Sequence, residues 1–155
     1  MAMAPRCCDT PTLTRLLALD RRGTPPGTPG HEVVFDYTDV QACSACGGGL
    51  VEHHSHDCWD PADHASWDMY WWWRVDAADM RLVEEWVAAC PQPLSPTCGC
   101  PVHRGLGSAT PPAVAPAVQT RHERADVPRT GVRLVDGLPR WVTATDNLTA
   151  TDGDH

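Results

Sequence analysis

The sequence predicts a small α+β fold: a short antiparallel sheet, one helix packed across it, and a bound metal ion that holds the two together. Three observations carry that prediction. Two cysteine-rich stretches, Cys43-Ser-Ala-Cys46-Gly-Gly-Gly and Cys98-Gly-Cys100-Pro-Val-His103, are spaced to turn sulfurs toward a common point. An aromatic run, Met69-Tyr70-Trp71-Trp72-Trp73-Arg74-Val75, sets Met69, Trp71, Trp73 and Val75 on one face of a strand and Tyr70, Trp72 and Arg74 on the other. Behind it, Met80, Val83, Val87 and Cys90 recur at steps of three and four, which is the apolar stripe of a helix.

Composition limits how much of the chain that fold can occupy. The 155 residues include 15 prolines and 12 glycines, a high proportion for a packed globule, so loops and tails are expected around a single core. All 12 basic side chains are arginine, a bias that reads as a GC-rich genome and weakens any one arginine as a sign of phosphate recognition. The net charge of -8 is uneven: residues 31 to 100 carry two arginines against twelve acids. Nucleic-acid binding needs cationic neutralisation of phosphates, so that role is disfavoured and a basic protein partner is the expected one. No apolar run approaches the length of a membrane-spanning helix, and Leu16-Leu17-Ala18-Leu19 is too short for a signal sequence. A cytoplasmic setting follows, and there the eight cysteines favour metal over disulfides.

Taken in order, residues 1–30 read as an N-terminal arm. Its Cys7-Cys8 pair lies in a fraying terminus and reads as incidental. Thr10 is placed to cap a short helix, Pro11 to open it, and Leu13, Leu16 and Leu17 to form its apolar side; the Gly/Pro-rich stretch 23–30 is a linker. Residues 31–106 form the metal-stabilised module. There Val33 to Val40 is a strand running into the Cys43 turn, and Leu50 to Cys58 returns as the second arm of a hairpin. The tryptophan strand follows, then a helix capped by Asp76 and stopped by Pro91, then an extended return to Cys98. Residues 107–155 read as a largely disordered tail in which 132–142 can form a hairpin around Asp136-Gly137.

Cys43, Cys46, Cys98 and Cys100 are therefore the expected ligands of one structural zinc ion, because a closed tetrahedral site needs four ligands and each stretch supplies two. The irregular Cys-x-Cys half leaves open whether His103 or Cys90 replaces one of its pair. In residues 43–49 and 98–100 the chain resembles zinc-ribbon proteins, a resemblance that covers the ligand positions and implies an ion at a hairpin turn. A sharper alternative lies in His53-His54-Ser55-His56-Asp57-Cys58. On a strand His54, His56 and Cys58 share one side, and three ligands with an open fourth position would suit a small metal-dependent hydrolase with Asp57, Asp60 or Asp63 as base. Histidines on a solvated strand need no such role. The leading expectation is a non-enzymatic protein-interaction or regulatory module with structural zinc.

Overall fold

The alternating and helical runs of the sequence become six strands and two helices in the computed structural model, which describes residues 6–22, 34–60, 65–108, 111 and 127–143, with 20–22, 34–36, 55–60 and 65–69 described as backbone. The strands are β1 Leu13–Arg22, β2 Val34–Cys43, β3 Gly49–Asp60, β4 Ala65–Val75, β5 Arg129–Val135 and β6 Leu138–Thr143. Between β4 and β5 lie α1, Ala77–Ala88, and α2, Pro101–Leu106. All six strands form one curled sheet in the order β1-β2-β3-β4-β5-β6. The expected small sheet with one packed helix is therefore wrong in scale and in kind: the molecule is mostly a half-barrel of strands, and its helices belong to a crossover.

The first four strands are an antiparallel meander, whereas β4 and β5 run parallel, paired at Arg74–Arg129 and Val75–Thr130. A parallel step cannot be made by a tight turn and needs a long connection across the sheet, which here contains both helices. It lays the stripe Met80, Val83 and Val87 of α1, with Val102 and Leu106 of α2, on Leu17, Leu19, Val40, Val51, Trp73, Val75 and Val132 of the sheet. That cluster is the main core. The opposite face carries a smaller one of Leu50, Trp72 and Val127, with Cys7, Leu13 and Tyr70 against it. The tryptophan run alternates as its period requires, with Trp73 to the helices and Trp72 away from them.

The expected N-terminal helix is instead β1. Its run Leu16-Leu17-Ala18-Leu19 does not alternate, and an unbroken apolar run fits a buried strand as well as a helix turn. The free edge of β2 decides between them, because an unpaired strand edge carries a row of unsatisfied amides. Register shifts at Arg15/Leu17 and Ala18/Asp20 let β1 pair along β2 while Leu17, Ala18 and Leu19 are all buried. The amide of Ala18 finds the carbonyl of Pro93, in the α1–α2 connection, at 2.9 Å.

The C-terminal hairpin forms as β5 and β6, and it extends the sheet. Asp136 (φ 53°) and Gly137 (φ 82°) both take the left-handed conformation that a tight two-residue hairpin turn requires. The linker 23–30 and the tail residues 112–126 and 144–155 lie outside the described residues. No helix among the described residues is long and apolar enough to cross a membrane.

Candidate metal centres

The turn between β2 and β3 builds the first group of ligands. Two backbone bonds close it, from the Cys43 amide to the Gly48 carbonyl at 2.8 Å and from the Gly47 amide to the Cys43 carbonyl at 2.9 Å. Gly47 sits at φ 78°, where any side chain would strain the backbone. Gly49 is needed for a different reason: a Cβ there would collide with the Gln41 carbonyl and lie 2.8 Å from the Met80 sulfur. So compact a turn aims amides at sulfurs. Gly48 N–H donates to Cys46 Sγ and Thr12 N–H to Cys43 Sγ, each at 3.4 Å. The Ser44 amide also donates to the Thr12 carbonyl at 3.0 Å, which clamps the N-terminal arm to the turn.

That clamp brings in Cys7 and Cys8. Cys7 Sγ lies 3.5 Å from Cys46 Sγ and Cys8 Sγ 3.9 Å from Cys43 Sγ, and the four sulfurs all fall within 4.8 Å of one another. They could hold a metal ion. The vicinal pair read from the sequence as incidental completes this group.

A second group forms around the α1–α2 connection. Cys90 follows Ala89, the C-cap of α1; Cys98 sits in a turn where its own amide bonds to the Ser95 carbonyl at 3.1 Å; and Cys100 is the residue before α2. Pro101, at the first position of α2, starts the helix with no amide to leave unsatisfied. One turn on, His103 faces the sulfurs. Cys90 Sγ is 3.7 Å from Cys98 Sγ and 3.2 Å from Cys100 Sγ, and His103 Nδ1 is 3.0 Å from Cys100 Sγ and 3.5 Å from Cys90 Sγ. His103 Nε2 lies 3.0 Å from the Ala18 carbonyl. A carbonyl oxygen only accepts, so Nε2 carries the proton and Nδ1 presents its lone pair to the sulfurs, the orientation that metal-ligating histidines require. These four ligand atoms also lie within 4.8 Å of one another and could hold a metal ion.

The four cysteines expected to share one ion are therefore brought together two by two. Cys43 and Cys46 stand with Cys7 and Cys8; Cys98 and Cys100 stand with both Cys90 and His103. One signal was available: Cys90, Cys98, Cys100 and His103 lie within fourteen residues and form a complete set by themselves.

Each group holds thiols at opposite extremes. Burial pushes Cys43 up, but the amides of Cys46, Thr12 and Ala45 and the Cys7 thiol outweigh it and bring it down to about 6. Cys7 and Cys8 are both raised, by burial first and then by hydrogen bonding to Cys46 and Cys43. In the second group Cys90 is pushed up to about 12 by burial and the Cys100 thiol, while the Cys100 amide leads in lowering Cys98. Clustered thiols cannot all ionise unless a cation offsets their mutual repulsion.

The histidine run is placed quite differently. His53 Nδ1 meets Thr38 Oγ1 at 2.8 Å and its ring lies 5.3 Å from that of Trp71, whereas His54 lies between Tyr37 and Tyr70 at 4.8 and 4.6 Å. The neighbouring Glu52 accepts from Tyr37 Oη at 2.7 Å and Trp72 Nε1 at 2.9 Å, so this patch of the sheet is cross-strand packing. The side chains of His56, Asp57, Cys58 and Asp60, and all of Asp63, lie outside the described residues. Comparison with known proteins finds no matching family model, no matching curated protein and no matching solved structure.

Proposed function

We propose that this chain is a non-enzymatic zinc protein that holds two structural ions, one in each group. The observation that carries the reading is the completeness of each ligand set: four sulfur or imidazole ligands close a tetrahedral shell, whereas a catalytic ion keeps a position open for water or substrate. Distances support this. A tetrahedral ion bonded to sulfur at about 2.3 Å sets its sulfurs about 3.8 Å apart; two sulfur pairs of the first group stand at 3.5 and 3.9 Å, and two of the second at 3.7 and 3.2 Å. Thiolate and imidazole ligands in this geometry favour zinc over calcium, magnesium or manganese. The acidic balance of residues 31 to 100 supports a basic protein as partner. A reducing compartment such as the cytoplasm suits the reading, since it keeps the thiolates available to metal.

Elemental analysis of the purified full chain tests the function: zinc and a colourless protein are the expected result. A brown protein containing iron would contradict it, because four thiolates can also hold an iron–sulfur cluster. Replacing zinc by cobalt(II) should give the intense visible bands of tetrahedral cobalt thiolate. Titration with a polylysine probe checks the partner, and unchanged tryptophan fluorescence at low salt would count against a basic one.

A further inference from the structure

We propose that Cys46 is an oxidation site for small hydroperoxides with Cys7 as its resolving thiol, so that oxidation empties the first group while the second keeps its ion. The inference rests on the zinc reading above. Among the described cysteines Cys46 alone is exposed; Cys43 and Cys90 are buried, and Cys7, Cys8, Cys98 and Cys100 are intermediate. The Cys46 and Cys7 sulfurs are already 3.5 Å apart. A disulfide needs about 2.05 Å, and both residues lie on irregular backbone able to cover the difference: Cys46 is in the β2–β3 turn and Cys7 in the bends before β1. Cys43 is held differently. It is 3% exposed, ends β2, and is fixed by two backbone bonds and the Thr12 amide. In the second group Cys90 sits in the main core and His103 is 5% exposed.

The chemistry balances without a further reactant. The Cys46 thiolate attacks one peroxide oxygen, the O–O bond breaks, and the leaving hydroxide or alkoxide takes a proton to become water or alcohol. Cys46 is then a sulfenic acid. The Cys7 thiolate attacks the Cys46 sulfur, the S–O bond breaks, and that oxygen leaves as water after taking up a proton. Two thiolates have given two electrons to the hydroperoxide, and two of four ligands are gone. Cys43 and Cys8 alone do not close a tetrahedral shell, so the ion leaves, while the new bond keeps the N-terminal arm tied to the turn.

Zinc-loaded full-length protein, its metal content measured beforehand, is treated with one equivalent of hydrogen peroxide beside a chromophoric zinc indicator. Release of half the zinc is expected, with a Cys7–Cys46 disulfide on peptide mapping and Cys90, Cys98 and Cys100 still reduced. No release, release of both ions together, or a disulfide within the second group would overturn the inference. In Cys7→Ser the sulfenic acid has lost its partner, so a dimedone adduct on Cys46 should rise several-fold over the parent protein; equal labelling would remove Cys7 from its role. A protein without zinc at the outset overturns the metal reading itself, whereas two ions followed by no selective release overturns this inference alone.

Discussion

The two ligand groups are alike in size and unlike in setting. The first joins a β-turn to a segment that precedes β1, with one thiol exposed and Cys7 packed against the smaller cluster. The second is drawn from fourteen consecutive residues, and its Cys90 belongs to the main core, with Cys98 and Cys100 packed against that core. One is a clasp at the β2–β3 turn, the other borders the interior. Position therefore separates two sites that coordination chemistry alone would treat as near equals: loss of the first should release an arm, and loss of the second should loosen the connection that ties α1 to α2 over the main core.

The sharpest way to break this contrast is to delete one ligand from each group. A structural zinc site supplies about 10 kcal/mol or more of apparent folding free energy, against a net stability of about 5–15 kcal/mol for a whole domain. Cys90→Ser should therefore abolish the cooperative thermal transition followed by circular dichroism. Cys8→Ser should cost one ion but keep a cooperative transition at a lower midpoint; equal collapse of both variants would show that the groups are not embedded differently.

Acidification should also separate them. Zinc displaces the protons of its thiol ligands, so affinity falls as pH falls. The first group holds two raised thiols, Cys7 and Cys8, and the second holds Cys90. The first ion should accordingly leave at the higher pH during an acid titration with a chromophoric indicator, and simultaneous release would contradict that order.

Smaller changes refine the picture. His103→Cys retains four ligands, so both ions should remain, but the Ala18 carbonyl loses its donor at a cost of about 1–3 kcal/mol in a urea titration. Gly47→Ala meets only an ordinary contact with Ala77, so its cost is the left-handed backbone alone, about 1–2 kcal/mol. That loss should appear as weaker binding at the first group, with the second ion untouched.

The sequence displayed these features unequally, for physical reasons. β2, β3, β4 and α1 were legible because Val33 to Val40, its hairpin return Leu50 to Cys58, the tryptophan run and the Met80 stripe each carry a strand or helix pattern, and the Asp136-Gly137 turn marked the hairpin of β5 and β6. Leu16 to Leu19 was not legible, because an unbroken apolar run has no period and its strand form is imposed by the open edge of β2. The parallel β4–β5 contact, which turns a ribbon into a half-barrel, rests on two residue pairs and leaves no local pattern. The sulfurs were visible as candidate ligands but not as partners. Spacing says which cysteines can approach an ion together, not which remote pair the fold delivers, and Cys7-Cys8 reaches Cys43 through the Thr12–Ser44 clamp.

The account stands on there being two separate closed sites, and native mass spectrometry of the full-length chain measures this directly. Two zinc ions per chain are predicted, falling to one in Cys8→Ser. A single ion per chain that persists in Cys8→Ser, and is lost when Cys43 or Cys98 is replaced, would contradict the account and restore one site shared between the two stretches.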